Sequence, residues 1–344
     1  MSVSDFRSDT VTRACPAMRE AIAGAEVGDD VLEGDPTVRR LEEAAAAWLG
    51  KEGALFVPSG TMANQVALGA WTRPGDEIVC QRFAHVTTFE AGAAGFLHGV
   101  QSMTVGGDDG QMDPDEVRSC LRPRFIHCPP SRLLCLEQTH NWAGGVVTPL
   151  ARVEALSGVA REAGLSVHLD GARLANAVVA SGVSAREWCA HADSVSLCFS
   201  KGLGAPVGSV VAGDAAFLER ARLVRKRLGG WMRQAGHLAA AALYALEHNV
   251  ERLAEDHALA RSLAGRLGAL EGLEASAEAV DTNIVMVGVS APDRDAAGIA
   301  AALGEHGVLV MPMGPSRLRF VTHLDVGSGD LDRLVEAAES VMQG

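Results

Sequence analysis

One segment decides the fold: Ser194-Val195-Ser196-Leu197-Cys198-Phe199-Ser200-Lys201-Gly202-Leu203-Gly204-Ala205-Pro206-Val207-Gly208-Ser209-Val210. Its first half alternates serine with apolar residues, which is typical of a strand. Its second half is rich in glycine and contains a proline, which is typical of a turn. Lys201 stands where the strand gives way to the turn. A lysine there is either an ordinary surface residue or the amine that forms a Schiff base with a carbonyl cofactor.

A second strand of the same kind lies 31 residues upstream of Lys201. The run Leu165-Ser166-Val167-His168-Leu169-Asp170-Gly171 again passes from apolar residues into a glycine turn, with Asp170 at its end. Ligands of open parallel sheets bind at the carboxyl ends of the strands, so we expect Asp170 and Lys201 to lie at one site. Pyridoxal phosphate needs this pair, a lysine for its aldehyde and an acid for its pyridinium nitrogen.

The composition indicates a globular protein of two domains. The chain has 344 residues, of which 48% are hydrophobic. Strands alternate with helices through most of it, which predicts an α/β fold with a mainly parallel sheet covered on both faces. We predict a large domain over residues 1–250, including an N-terminal arm, and a small C-terminal α+β domain over residues 251–344.

Charge and cysteine content limit the partners and the compartment. The net charge of −13 disfavours nucleic acids and anionic membranes as partners. Seven cysteines at irregular spacings, with no Cys-x-x-Cys pair, favour a reducing, cytoplasmic location. We expect no signal peptide, because the first residues include Asp5 and Asp9 and lack an apolar segment, and we expect no membrane span, because no apolar run is long enough.

Three further local patterns predict an anion site, a helix cap and a loop. Ser59-Gly60-Thr61 lies between a predicted strand and a predicted helix, where free backbone N–H groups make either an anion site or an ordinary turn. Thr37 is predicted to cap the helix that ends near Leu49. His85 is predicted to lie in a loop after the strand Glu77-Ile78-Val79-Cys80.

Together these patterns resemble the threonine aldolase family of fold-type I pyridoxal phosphate enzymes. The resemblance extends over nearly the whole chain. It is carried by the segments Phe6-Arg7-Ser8-Asp9-Thr10-Val11-Thr12, Val27-Gly28-Asp29-Asp30-Val31, Asp35-Pro36-Thr37-Val38, Ser59-Gly60-Thr61-Met62-Ala63-Asn64, Phe89-Glu90-Ala91-Gly92, His168-Leu169-Asp170-Gly171-Ala172-Arg173, Ser200-Lys201-Gly202-Leu203-Gly204-Ala205-Pro206, Gly230-Trp231-Met232-Arg233-Gln234 and Arg319-Phe320-Val321-Thr322-His323. It implies a mostly parallel seven-stranded sheet in the large domain.

The resemblance also implies a role for each site residue. The cofactor would be bound by Lys201 as a Schiff base, Asp170 at the ring nitrogen, His85 on the ring face, Arg173, and Ser59, Gly60, Thr61 and Arg233 at the phosphate. The substrate carboxylate would be held by Ser8, Arg173 and Arg319. His85 and His127 would be the candidates for the base at the substrate hydroxyl. No metal is implied. Arg233 would come from a neighbouring subunit, so we expect a homo-oligomer, a dimer of dimers, with shared sites.

The implied reaction is retro-aldol cleavage of an L-β-hydroxy-α-amino acid to glycine and an aldehyde. Three alternatives remain open at this point: a β-eliminating lyase, an aminotransferase, and a cofactor-free binding protein on the same fold. Arg317 and Arg319 point to the same side of a predicted strand, so the pattern alone does not choose between them.

Two positions depart from the family pattern. Leu32 stands where the family commonly has a tyrosine, which leaves the substrate preference open. The segment Trp142-Ala143-Gly144-Gly145 also differs from the forms expected there.

Overall fold

The computed structural model describes residues 3–123 and 125–343. Thirteen strands are present in the described ranges. They are β1 Ser4–Asp5, β2 Gly53–Val57, β3 Glu77–Gln81, β4 Gln101–Val105, β5 Ser131–Glu137, β6 Ser166–Gly171, β7 Ser194–Cys198, β8 Ser209–Gly213, β9 Leu273–Glu274, β10 Ile284–Val289, β11 Val308–Leu309, β12 Met311–Pro312 and β13 Arg317–Val321.

Helices separate most of these strands along the chain. They are α1 Pro16–Ala23, α2 Pro36–Leu49, α3 Gly60–Trp71, α4 His85–Thr88, α5 Ala93–His98, α6 Pro114–Cys120, α7 Leu150–Glu162, α8 Leu174–Ser181, α9 Ala185–Cys189, α10 Ala215–Arg227, α11 Gly236–His248, α12 Leu253–Leu267, α13 Ala296–Glu305 and α14 Ser328–Gln343. Short 3-10 turns lie at Asp9–Val11 and Ala277–Ala279. No helix in the described ranges combines the length and apolar character that crossing a membrane requires.

The main sheet has seven strands in the order β2-β8-β7-β6-β5-β3-β4. Only β8 runs against the others, because it returns directly from the turn after β7 and pairs antiparallel with both β7 and β2. The predicted α/β fold with a mostly parallel seven-stranded sheet is therefore confirmed. The antiparallel return of β8 was not anticipated.

Helices cover both faces of this sheet, as successive side chains of β2 show. Ala54 and Phe56 point into a hydrophobic cluster that includes α2 and α11, whereas Leu55 and Val57 point into a separate cluster with α3 and α10. This alternation is the period of two expected for a strand buried on both sides. It leaves the carboxyl-terminal edge of the sheet as the open side.

The C-terminal part forms its own sheet and core. Its antiparallel strands follow the order β12-β13-β10-β9, and α12, α13 and α14 pack with them in one hydrophobic cluster. The N-terminus joins this part, since β1 pairs in parallel with β11 and Phe6 is fully buried in the same cluster. The boundary near residue 250 stays a prediction.

Two local predictions were wrong. Asp35, not Thr37, caps α2, because its carboxylate accepts from the backbone N–H groups of Thr37 and Val38 at 3.0 Å each. His85 begins the single-turn helix α4 and does not lie in a loop.

Candidate active site

Lys201 lies in a tight turn directly after β7. Backbone hydrogen bonds close this turn: the Phe199 N–H donates to Gly208 at 3.0 Å, and the Gly204 N–H donates to Lys201 at 2.8 Å. Gly204 has a φ of 80°, which side chains other than glycine rarely adopt. The turn therefore fixes the backbone from which the Lys201 amine projects.

Asp170 lies at the carboxyl end of β6, the neighbour of β7. Its buried carboxylate accepts hydrogen bonds from Asn64 Nδ2 at 2.7 Å, the Ala172 N–H at 3.0 Å and Ser196 Oγ at 3.3 Å. Burial alone would raise the pKa of Asp170. The charges of His85 and Lys201 and the hydrogen bond from Asn64 outweigh burial, so the pKa lies below its usual value.

His85 is held at its backbone and at one ring nitrogen. Its N–H donates to Glu137 Oε2 at 2.7 Å, and its Nδ1 lies 2.8 Å from Glu90 Oε1. Burial lowers the pKa of His85, but the hydrogen bond to Glu90 and the nearby charge of Asp170 raise it above its ordinary value. Nδ1 is thus committed to Glu90, and Nε2 is the ring nitrogen left for a ligand.

Asn64 joins the two carboxylates of this region. Its Nδ2 donates to both Asp170 at 2.7 Å and Glu90 at 2.8 Å. Its Oδ1 faces His168 Nε2 at 3.1 Å and Ser196 Oγ at 3.2 Å. Because both amide hydrogens are directed at carboxylates, Oδ1 is the acceptor: it accepts from His168 Nε2 and shares the single hydroxyl hydrogen of Ser196 with Asp170.

A buried chain of hydrogen bonds fixes the orientation of Asn64. Trp71 Nε1 donates to Ser194 Oγ at 2.9 Å, and that hydroxyl lies 2.9 Å from His168 Nδ1. Burial lowers the pKa of His168 to about 4, so the ring is neutral at pH 7. Ser194 then donates to Nδ1, and His168 Nε2–H donates to Asn64. This chain of hydrogen bonds fixes the side chain that donates to the Asp170 carboxylate.

A second group of buried charges is centred on Arg173. Arg173 donates through Nε and Nη2 to the two oxygens of Asp9, at 2.8 and 2.7 Å. Arg173 Nη1 and Arg319 Nη2 both donate to Asn141 Oδ1, at 3.0 and 2.9 Å. We call Asp9, Asn141, Arg173 and Arg319 the carboxylate pocket. Lys201 is close to both Asp170 and the carboxylate pocket, because it follows β7, which pairs with β6 at Asp170, and Thr12 Oγ1 lies 2.9 Å from the Asp9 carbonyl and 3.4 Å from the Lys201 carbonyl.

Arg319 brings a positive charge to the carboxylate pocket, and one of its nitrogens has no hydrogen-bond partner. Among the described residues Arg319 forms no ion pair, and its Nε is buried without a hydrogen-bond partner. Burial and the neighbouring Arg173 lower the pKa of Arg319 to about 10, so it is still protonated at neutral pH. A buried, charged donor of this kind is suited to bind an anion. Arg317 lies on the same side of β13 but points to Trp142, so the structure separates the two arginines.

The start of α3 offers a further anion-binding surface. Ser59 caps this helix by accepting from the Met62 N–H at 3.1 Å, and the side chains of Ser59 and Thr61 are exposed. A Cβ at Gly60 would lie 2.5 Å from Cys198 Sγ, so glycine is required where α3 passes β7. The first N–H groups of α3 are accordingly open to a ligand.

Comparisons with known proteins show the family of this chain. A family model described as beta-eliminating lyase matches residues 5–292. The chain is 42% identical over 343 residues to low-specificity L-threonine aldolase 1 of Arabidopsis thaliana, which covers 98% of this chain and 96% of the relative. It is 43% identical over 332 residues to the low specificity L-threonine aldolase of Escherichia coli (strain K12), with 95% and 96% covered. The chain belongs to the threonine aldolase family.

The fold of this threonine aldolase family member matches that of solved relatives. The threonine aldolase of Leishmania major superimposes with a TM-score of 0.84 at 21% identity, covering 98% of this chain and 99% of that one. The resemblance drawn from the sequence is thereby confirmed, and the protein is a pyridoxal phosphate-dependent lyase of fold type I.

The residues of the site fit pyridoxal phosphate. An amine at Lys201 and an ionised carboxylate at Asp170 are the groups that its aldehyde and pyridinium nitrogen require, and the imidazole of His85 would stack on its ring face. The open start of α3 supplies N–H donors for its phosphate at Gly60 and Thr61. The absence of a Cβ at Gly60 brings this helix start close to the end of β7.

A metal ion is a second ligand type to consider at this site. His85, Glu90 and Asp170 present ligand atoms that all lie within 4.8 Å of one another. Asn64 already donates to both carboxylates, and His85 shares its Nδ1 with Glu90. These hydrogen bonds use the atoms that would otherwise coordinate a cation. The geometry therefore favours hydrogen bonding among the three residues and Asn64 over metal binding.

The structure does not bring every predicted residue to this site. Ser8 lies beside the carboxylate pocket, where its Oγ caps the 3-10 turn by accepting from the Thr10 N–H at 3.2 Å. Arg233 is exposed between α10 and α11 and donates to both oxygens of Asp29 at 3.1 and 3.2 Å. His127 is exposed before the first residue of β5, at the amino end of the parallel strands, whereas Asp170 and Lys201 follow their carboxyl ends.

Several residues of the site were not assigned a role from the sequence. They are Asp9, Asn64, Glu90, Asn141, His168 and Ser196. Each was part of a quoted segment or lay next to one, but its partner is distant in the chain: Asp9 pairs with Arg173 across 164 positions. Sequence spacing carries no signal for such contacts.

Proposed function

We propose that this protein cleaves L-β-hydroxy-α-amino acids, among them L-threonine, L-allo-threonine and phenylserine, to glycine and an aldehyde. The observation that carries the proposal is that Lys201 lies close to both the Asp170 carboxylate and the carboxylate pocket. A lysine for the cofactor is therefore close to an arginine that has no ion pair among the described residues and that would bind an α-carboxylate. The relatives named as low-specificity L-threonine aldolases support the same activity.

The bound cofactor supplies an electron sink for the carbanion that forms when the Cα–Cβ bond breaks. Arg319 binds the substrate carboxylate through its free Nε, and Arg173 supports it from its ion pair with Asp9. Asp170 keeps its negative charge and so holds a proton on the ring nitrogen. These groups orient the substrate before any bond breaks.

His85 is the better placed of the two candidate bases. Its Nδ1 is held by Glu90, which leaves Nε2 to accept the β-hydroxyl proton directly or through a water. His127 lies at the opposite end of the strands of its own chain, so a role for it requires a neighbouring subunit.

We further propose a cytoplasmic homo-oligomer, a dimer of dimers, that does not bind nucleic acid or membranes. The net charge of −13 supports this proposal, because a negatively charged protein is repelled by nucleic acids and anionic membranes. Phe96 and Ile126 expose 88% and 89% of their surfaces, which supports burial between subunits. Arg233 lies at the surface, where it can reach a neighbour once its contact with Asp29 is exchanged.

Product analysis with L-threonine tests the activity. An aldolase releases glycine and acetaldehyde, whereas β-elimination releases ammonia and a 2-oxo acid. An aminotransferase needs a keto-acid acceptor, and a cofactor-free binding protein shows no cofactor absorbance. Ammonia as the main product, or no product from any β-hydroxy amino acid, would exclude the proposed reaction.

Labelling of the cofactor lysine is a second test. It can be interpreted clearly because the chain has only three lysines, Lys51, Lys201 and Lys226. Lys51 Nζ donates to the carbonyls of Cys189 and Ala192, and Lys226 lies over the Trp231 ring. We expect borohydride to fix the cofactor on the Lys201 peptide. Lys201→Ala should abolish both labelling and turnover, while Lys226→Ala serves as the control. Label on either other lysine would show that the central assignment is wrong.

A further inference from the structure

Four rings form a continuous row at the mouth of the site. The ring centroids of His85 and Phe89 are 5.6 Å apart, those of Phe89 and Trp142 are 6.0 Å apart, and those of Trp142 and Phe83 are 5.0 Å apart at an interplanar angle of 19°. We call these four residues the aromatic row. It begins at the residue assigned to the cofactor ring face.

The third ring of the row, Trp142, lies beside the carboxylate pocket. Trp142 directly follows Asn141, whose Oδ1 accepts from both arginines of that pocket. Arg317, two positions from Arg319 on β13, lies 5.6 Å over the Trp142 ring. Trp142 is therefore fixed from two sides, by Phe83 stacking and by Arg317, in a position adjacent to the place of the substrate carboxylate.

The aromatic row does not belong to the hydrophobic core. Phe89 exposes 43% of its surface, and Phe83 and Trp142 are half-buried. None of these three residues is part of a buried hydrophobic cluster in the described ranges. Rings that are held in place but left partly open present an apolar surface to whatever enters the site.

We propose that Trp142 is a specificity-determining residue that, with Phe89, receives the substituent on the substrate β-carbon and favours an aryl group over a methyl group. This inference rests on the proposed function. With the carboxylate at Arg319 and the amino group at Lys201, the side chain is the part of the substrate left to meet the row.

A binding comparison tests the inference without turnover. L-phenylalanine and L-alanine differ by a phenyl group, and neither has the β-hydroxyl that cleavage requires. We expect calorimetry on the wild-type holoenzyme to give about tenfold tighter binding of phenylalanine, the scale of one well-placed aromatic contact. Trp142→Ala should remove most of that ratio, and Trp142→Phe should keep most of it.

A matched control separates this effect from general loss of an aromatic ring. Tyr244 stacks on His248 at 4.2 Å on α11, away from the row, so Tyr244→Ala should leave the ratio unchanged. An equal ratio in wild type and Trp142→Ala, or an equal loss in Tyr244→Ala, would overturn the inference. A changed subunit number with an unchanged ratio would show the row to be a subunit contact and would also overturn it.

Kinetics distinguish failure of this inference from failure of the proposed function. We expect the ratio of kcat/KM for phenylserine over threonine to fall about tenfold in Trp142→Ala, mainly through KM for phenylserine. If the wild type releases aldehyde from neither substrate, the proposed function fails, while the binding ratio still tests the row. If it cleaves both and the ratio does not change in Trp142→Ala, only the role of Trp142 fails.

Discussion

Replacing Asp9 by asparagine should strongly destabilise the protein, although the two side chains have nearly the same shape. Asp9 is fully buried, and both of its oxygens accept from Arg173. Asparagine keeps one oxygen and turns an amide N–H group towards the guanidinium, so Arg173 loses one hydrogen bond and its counter-charge. Removing one partner of a buried ion pair costs about 3–5 kcal/mol.

The expected shift in melting temperature follows from the length of the chain. At about 2.1 cal/mol/K per residue, 344 residues unfold with an entropy of roughly 0.7 kcal/mol/K. The apparent Tm of Asp9→Asn should therefore fall by roughly 4–7 °C, measured by calorimetry at fixed protein and cofactor concentration. Asp332→Asn, which breaks the exposed pair with Arg266, is the control and should lose about 0–1 kcal/mol.

The pH dependence of the difference in Tm between wild type and Asp9→Asn gives a second check. Burial raises the pKa of Asp9, but Arg173 outweighs burial and holds the pKa below its ordinary value. A lowered folded pKa means that the contribution is complete above the unfolded value of about 3.9 and is lost only as the pH falls towards the folded value. The gap between wild type and Asp9→Asn should thus be constant from pH 5 to 8. A gap below 1 °C, or one that changes over this range, would refute the reasoning.

Two further predictions concern the cofactor and the subunit arrangement. Asp170→Asn should retain bound cofactor, seen by its absorbance, but lower kcat by about a hundredfold, because a neutral amide cannot hold the ring nitrogen protonated; a near wild-type rate would contradict this. Mixed oligomers of Lys201→Ala and Arg233→Ala chains should regain activity, because one site receives both intact residues. No recovery in hetero-oligomers confirmed by native mass measurement would show that Arg233 does not serve a neighbouring site.

The parts of the fold that depend on local pattern could be predicted from the sequence. The strand ends at Asp170 and Lys201 were identified from alternation followed by glycine, and the mostly parallel sheet follows from strands that alternate with helices. The antiparallel β8 was not predicted, because the direction of a strand after a short turn depends on its pairing with β2. The cap of α2 was misplaced since Asp35 and Thr37 are both good capping residues and only the backbone geometry decides between them.

The supporting residues of the site could not be predicted because their contacts are tertiary. His168 illustrates this point: it was quoted as part of the Asp170 segment, yet its use depends on Ser194 and Asn64, 26 and 104 positions away. The residue pattern alone did not distinguish Arg319 from Arg317, and only the family resemblance favoured Arg319; in the structure it is Arg319 that donates to Asn141.

The two asparagines Asn64 and Asn141 explain how one small site holds several like charges. Asn64 places its two N–H groups between the carboxylates of Glu90 and Asp170, and Asn141 places its carbonyl oxygen between the guanidiniums of Arg173 and Arg319. A charged residue at either position would favour one pair and repel the other. A neutral amide offers donors on one side and an acceptor on the other, so it can satisfy two groups of the same sign without adding charge. The site can therefore keep a carboxylate ionised for the cofactor and an arginine without an ion pair for the substrate, both close to Lys201.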